Sequence, residues 1–377
     1  MSDSHRLRTF AVIGAGPAGC AAAIGLADRG YRVTVYESRP FPRTKVCGEY
    51  ISPAATGVLE SLIGAEALER AGAVRTDRYV LQWGDRTREW RTPSAAWALS
   101  RRSLDTLLVE RAAQAGVEVR QPTKVHAVRY GDERVELTLA DGGVEVADAV
   151  VHADGSGRHD PAGPTPMIEG VVGHKCHLRL PESGPESGSG SGFVGAGAVG
   201  MRAGPGAYVG TIRVEGGLST VALVAGRRHI ARHRGDADAM LAALWPGFDP
   251  AWREGNWLSC GVARSKYIEP GHPHSVRLGN AAGAVDPVGG EGIGLGLWAG
   301  ASFAELLGER AEEAGLARAK QELARAYRER LRWRRVSCGF GAGVLMRPSL
   351  VRALWPMLGV APGLTIRPWY RMTGKPG

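Results

Sequence analysis

Apolar residues at 9–13 form a short unbroken run of the kind a strand shows when both its faces are buried. Residues 17–29 follow with the small side chains and the length of a helix that stops at Gly30, and residues 31–36 read as a second strand. Strand, glycine turn, helix and strand over residues 9–36 open a βαβ unit. Further on, Leu104, Leu107, Leu108 and Ala112 recur at helical spacing within 100–115, Gly116 stops that helix, and residues 117–120 give a short strand. Stretches at 125–130, 134–139 and 144–146, separated by Gly131-Asp132 and Asp141-Gly142-Gly143, predict a three-stranded meander, after which 149–153 returns to a buried strand.

Beyond residue 160 the pattern changes. Alternation over 171–180 and 208–224 predicts antiparallel strands with one covered face, hence a second, sheet-based domain. Between them, residues 180–192 repeat Pro, Glu, Ser and Gly and carry too little apolar surface to fold, so a mobile loop is expected. Residues 275–278 give one more strand, 293–335 are helical, and the tail from Val336 mixes apolar residues with Arg and Pro. The expected division is an α/β nucleotide-binding domain from residues 1–75, 100–160 and 256–308, a sheet domain from 76–99 and 161–255, and a helical cap from 309–377.

Composition narrows the class. The chain has 377 residues and 54 glycines without a collagen period, so backbone must turn sharply or approach something closely at many places. Its formal charge is +9, carried almost entirely by Arg. No basic run interleaved with aromatics marks a nucleic-acid groove. The five cysteines are scattered with no metal spacing, which points to reduced thiols, a cytoplasmic location and no metal site. Residues 10–27 imitate a signal peptide, but Gly14, Gly16, Pro17 and Gly19 interrupt them as a nucleotide-binding turn would.

Gly14-Ala15-Gly16-Pro17-Ala18-Gly19 is a G-x-G-x-x-G turn between a strand and a helix, and Glu37 ends the following strand. Such glycines let backbone N–H groups and the helix N-terminus meet a pyrophosphate, while the acid accepts ribose hydroxyls. Residues 8–37, Ser100-Arg101-Arg102-Ser103-Leu104-Asp105, His152-Ala153-Asp154-Gly155-Ser156 and Gly279-Asn280-Ala281-Ala282-Gly283-Ala284-Val285-Asp286-Pro287 together resemble the FAD-dependent aromatic hydroxylase (group A flavin monooxygenase) and geranylgeranyl reductase superfamily. The segment Pro42 to Pro53, with Cys47-Gly48-Glu49, resembles the geranylgeranyl reductase branch, in which this loop passes beside the flavin ring.

The resemblance implies an α/β (α+β) fold: a Rossmann-like FAD domain, an antiparallel β-sheet substrate domain and a helical C-terminal cap. It places FAD against Gly14, Gly16, Pro17, Ala18, Gly19, Glu37, Ser38, Arg39, Lys45, Val46, Cys47, Arg101, Val125, Asp154, Gly155, Gly279, Asn280, Asp286, Pro287, Gly290, Gly292 and Ile293. Asn280 stands where the family usually has Asp, and its amide oxygen still accepts a hydroxyl hydrogen bond. Glycines at 289–294, costly in a helix, suggest close backbone approach to a ligand.

For substrate chemistry the candidates are Cys47, His174, Tyr208 and Arg213, with Lys175 and His177 alternating with His174 on a predicted strand. The expected reaction is NAD(P)H-dependent oxygenation of a hydrophobic aromatic or polyketide-like molecule; no second glycine fingerprint gives the nicotinamide a domain of its own, and the resemblance implies that NADPH or NADH binds transiently near Asp154-Gly155. Three alternatives stay open: a hydride-transferring reductase, a halogenase whose Trp-x-Trp-x-Ile-Pro segment is absent, and a non-redox escort protein. The Arg- and Trp-rich tail could pack as a core layer, cap the cavity or touch a membrane surface. Oligomeric state is not legible.

Overall fold

The computed structural model describes residues 7–181, 194–309, 311–360, 368 and 370–375. Most of the Pro/Ser/Gly loop expected at 180–192 lies outside them. Along the chain come β1 (Thr9–Ile13), α1 (Pro17–Ala27), β2 (Arg32–Tyr36), β3 (Tyr50–Ile51), α2 (Pro53–Ile63), α3 (Ala65–Arg70), β4 (Val74–Trp83), β5 (Arg86–Ala98), α4 (Arg101–Gln114), β6 (Glu118–Arg120), β7 (Val125–Tyr130), β8 (Val135–Leu139), β9 (Val144–Ala147) and β10 (Ala149–His152). Then follow β11 (Met167–Leu178), β12 (Ala198–Gly204), β13 (Ala207–Arg213), β14 (Ser219–Gly226), α5 (Arg227–Arg232), α6 (Ala237–Leu244), β15 (Arg253–Ala263), β16 (Ser275–Arg277), α7 (Gly292–Leu307), α8 (Glu313–Leu345) and α9 (Pro348–Val360).

The first sheet is parallel, in the order β16-β10-β1-β2-β6. Phe10 and Val12 of β1 face the helices α1, α4 and α7, while Ala11 and Ile13 face the β7-β8-β9 meander. That two-sided burial is why the strand reads as an unbroken apolar run. α1 lies tightly on α7: a Cβ at Gly25 would stand 2.7 Å from Ala304 Cβ.

The second sheet has eight strands in the order β15-β11-β14-β13-β12-β4-β5-β3, antiparallel except where β12 meets β4. One face packs on α6 through Ala207, Val209, Leu223 and Met240. Tyr208, Met201 and Val224 on the other face meet α8 and α9.

Two boundaries differ from the expected ones. β15 pairs with β11, so residues 256–263, expected in the nucleotide domain, belong to the sheet, and β3 adds residues 50–51 to the same sheet. The helix expected over 293–335 breaks after Leu307, where Gly308 takes a left-handed φ of 67°, and α8 then runs past Arg335 to Leu345. The glycines at 289–294 are mostly packing residues: a Cβ would meet Cys338 Sγ at Gly289, Tyr50 at Gly290 and Ala55 at Gly294. Gly292, at the start of α7, has open space instead.

Candidate active site

Gly14 follows β1 directly, donates its N–H to Tyr36 O (2.9 Å) and has φ +100°, and a Cβ on it would lie 2.8 Å from Ala153 O. Gly19 stands so close to Gly14 O that a side chain there would collide with backbone. Gly16 is different. It caps α1 in extended backbone, and a Cβ on it would meet nothing nearer than Arg101 Nη2 at 3.6 Å. The fold therefore needs the first and last glycines, while the middle one leaves room for something that is not protein.

A cavity of about 410 Å³ opens from this turn, lined among others by Gly14, Glu37, Ser38, Arg39, Lys45, Val125 and Asp154. The buried Glu37 carboxylate accepts from Ala15 N–H (3.1 Å), Arg39 N–H (3.1 Å), Ser38 Oγ (3.2 Å) and Arg43 Nη2 (2.9 Å). Burial works to raise this carboxyl, but Arg43 and Lys45 outweigh it and hold it below its ordinary value. Arg43 continues to Asp105 (3.1 Å), which Arg101 grips through Nε and Nη2 at 2.7 Å. Lys45 is pushed down by burial and by the charges of Arg43 and Arg101. Cations crowded beside the N-terminus of α1 are a setting that a bound diphosphate relieves, so the residues present fit a dinucleotide.

The loop after Lys45 is fixed by a buried charge knot. Glu49 is fully buried and holds a left-handed φ of 56°, an uncommon conformation for a residue with a side chain. Its carboxylate accepts from Lys175 Nζ (2.6 Å), His177 Nε2 (2.7 Å), the Arg101 N–H (2.7 Å) and Thr220 Oγ1. Burial alone would raise it, yet the His177 hydrogen bond and the Lys175 charge pull it down to about 2. Four partners from three separate elements thus over-determine a strained backbone. Cys47 Sγ accepts the Glu49 N–H at 3.3 Å.

A second cavity, about 100 Å³, lies between the inner face of the eight-stranded sheet and the turn Pro287–Gly289. Apolar Val199, Met201, Ile212, Val224 and Val288 share its wall with Gly48, Tyr50 and Tyr208. Tyr208 donates its hydroxyl to Asp286 Oδ1 (3.0 Å), which also accepts the Val288 N–H (3.1 Å). Burial raises the Asp286 carboxyl against both bonds, and burial together with the Asp286 charge drives the Tyr208 phenol well above its ordinary value. The C-terminal segment closes the cavity: Tyr370 and Lys375 line it, and Lys375 Nζ donates to Gly289 O (2.8 Å) and stands 3.2 Å from Glu291 Oε1.

The expected residues thus fall into groups. Gly14, Glu37, Ser38, Arg39, Lys45, Val125 and Asp154 line the first cavity, with Gly16 and Arg101 beside it. Pro17, Ala18 and Ile293 are buried where α1 and α7 pack. Gly155 and Gly279 take left-handed φ, and Asn280 O accepts Thr165 Oγ1. Pro287, Gly290 and Tyr208 line the second cavity, Asp286 touches it through Tyr208, and Cys47 sits one residue off its wall.

His174 and Arg213 do not belong to either cavity. His174 shares the outer face of β11 with Cys176, where Nδ1 lies 2.8 Å from Ser259 Oγ and the ring stands edge-on to Trp257. Arg213 shares the outer face of β13 with Ala207 and Val209, while Tyr208, Gly210 and Ile212 point inward. The inward pair on β11 is Lys175 and His177, both on Glu49. Arg43, Asp105, Glu49, Tyr370 and Lys375 were not picked out from sequence. Glu49 carried a signal inside Cys47-Gly48-Glu49; Lys375 carried none.

Residues 8–158 match the family described as FAD binding domain. The chain is 30% identical over 329 residues to menaquinone reductase of Mycobacterium tuberculosis, an alignment spanning 79% of this chain and 76% of that protein. Kynurenine 3-monooxygenase of Xanthomonas oryzae is 35% identical over 138 residues, 33% of this chain and 29% of that enzyme. Klebsiella pneumoniae HpxO, solved with FAD and uric acid, has a TM-score of 0.77 at 16% identity, covering 98% of this chain and 97% of its own. The flavin-dependent brominase Bmp2 has a TM-score of 0.73 at 18% identity, covering 97% and 92%. At such identities these two structures share the fold.

Proposed function

Since the chain belongs to the group A hydroxylase-like family of FAD-dependent oxidoreductases, we propose that it is an NAD(P)H-using monooxygenase of a hydrophobic, aromatic or polyketide-like small molecule. The observation that carries this reading is the second cavity, whose apolar wall faces the Pro287–Gly290 turn with few polar atoms converging on it. FAD in the first cavity supplies two-electron exchange with a nicotinamide and, once reduced, reaction with dioxygen. NADPH provides the two electrons, and dioxygen provides the inserted oxygen, its second atom leaving as water.

The chain's own residues then have definite tasks. Val199, Met201, Ile212 and Val224 exclude water and orient a ring, and the Tyr208–Asp286 pair holds a proton at the phenol oxygen on the cavity wall. Open space at Gly292 leaves the N-terminus of α7 able to stabilise negative charge developing nearby. The cavity is smaller than the ~150 Å³ apolar protein cavity that accommodates benzene, so the cap formed by Tyr370 and Lys375 has to shift when substrate enters.

The test is the visible spectrum of the purified protein under argon, after NADPH, and after air, followed by oxygen uptake with substituted phenols and naphthols. A flavin band that bleaches with NADPH, returns in air and gives substrate-stimulated oxygen uptake with a hydroxylated product is expected. A second reading is favoured by the long alignment to menaquinone reductase: hydride transfer to a quinone or prenyl acceptor. Anaerobic turnover with no oxygen uptake would establish that reading and overturn the first.

Tyr208→Phe removes the donor that draws the Asp286 carboxyl down. The acidic limb of the pH profile for flavin reduction by NADPH is therefore expected to move to higher pH. Stability should drop by about 1–3 kcal/mol for the buried acceptor left short of a partner. An unmoved limb would remove Asp286 from the proton inventory of the reaction.

A further inference from the structure

Residues 330–377 contain eight Arg, one Lys and no Asp or Glu, which equals the whole formal charge of +9; the rest of the chain is balanced. The same stretch builds α9 and the end of α8, and these two helices flank an apolar groove of about 390 Å³. Its rim is not covered by protein among the described residues: Val336 and Phe340 are each 62% exposed, and Trp333 and Met357 each 57%. Such a contiguous apolar surface marks an interaction site. Arg332, Arg335, Arg347, Arg352 and Arg371 are exposed around it. The neighbouring β4–β5 hairpin adds Arg86 over Trp83 and Arg88 over Trp355, while its Asp85 lies in the field of Arg202.

We propose that this α8–α9 face is a docking surface for an anionic lipid bilayer. Apolar side chains that enter the headgroup boundary, surrounded by arginines with no acid in the segment, have the chemistry of an interfacial helix pair. Among the described residues no helix is long and apolar enough to span, so the contact is peripheral. The groove also adjoins the candidate substrate cavity, Tyr79 and Val288 lining both. A docked bilayer would therefore lie beside the wall of the cavity proposed to take an amphiphilic substrate; this last step rests on the function proposed above, whereas the docking does not.

The experiment is co-sedimentation of the flavin-loaded full chain with vesicles of phosphatidylcholine mixed with phosphatidylglycerol, and with vesicles of phosphatidylcholine alone. Binding to the mixed vesicles that falls with added salt is expected, with little binding to the neutral ones. Arg332→Glu with Arg335→Glu should lower partitioning by at least roughly tenfold, and Val336→Ser with Phe340→Ser should lower it independently of salt, both at unchanged flavin content. Absence of binding to the mixed vesicles, variants that bind like the parent, or a parent that is dimeric in light scattering and made monomeric by the serine pair would each overturn the proposal. Flavin reduction by NADPH in the same samples reads the proposed activity separately, so failure of one is not failure of the other.

Discussion

Gly16→Val is expected to yield a folded protein without FAD. The three glycines of the turn are not equivalent: a side chain at Gly14 would run into the backbone of Ala153 and Asp154, and one at Gly19 into the Gly14 carbonyl, so substitution there damages folding before it touches the cofactor. At Gly16 the backbone is extended and the nearest atom to an added Cβ is the end of a flexible arginine, 3.6 Å away. The valine therefore costs the unliganded fold little and occupies the space above the N-terminus of α1 where a pyrophosphate would meet N–H groups. The measurement is flavin absorbance per chain after purification and after reconstitution, alongside circular dichroism and thermal melting. The parent's melting temperature should rise with added FAD, by the equivalent of about 2.7 kcal/mol at a hundredfold excess over Kd. The variant's should not move. A variant that stays yellow at full occupancy would show that the turn does not hold the dinucleotide.

How much of this was legible beforehand follows the range of the interactions. β1, α1, β2 and the meander are each specified by neighbouring residues, so period and glycine placement place them closely. Ser100, the first residue of the helix expected over 100–115, is its cap, with Oγ accepting the Ser103 N–H at 3.2 Å. Which way a side chain points from a strand is a different matter. Alternation separates His174 from Lys175, but only the packing of α6 on one face of the sheet shows that His174 is outside and Lys175 inside. The same holds for β15, whose mostly exposed residues show no alternation and whose sheet is chosen by pairing with the distant β11. The closure of the second cavity by Tyr370 and Lys375 includes the Lys375–Gly289 contact, which spans more than eighty residues of sequence, and no local pattern carries it.

Glu49→Gln is the test of the buried knot and should be the most destabilising single change considered. Glu49 and Lys175 are both sealed from solvent, and removing one partner of a buried pair leaves the other uncompensated, a loss of about 3–5 kcal/mol. For a chain of this size that corresponds to a drop of about 4–6 °C in melting temperature. The carboxyl is held at about 2 against its ordinary 4.5, so its contribution is fully present above pH 4.5 and is lost as pH falls toward 2. The variant should accordingly lose that part of the parent's acid sensitivity. Because Glu49 also carries the strained turn between Cys47 and β3, its loosening is expected to weaken flavin retention as well. Pairing the change with Lys175→Met removes the stranded cation, so Glu49→Gln/Lys175→Met should be more stable than Glu49→Gln alone. If the double variant were instead the weaker, the cost would lie in the lost hydrogen bonds to His177 and Thr220 and not in an unpaired charge.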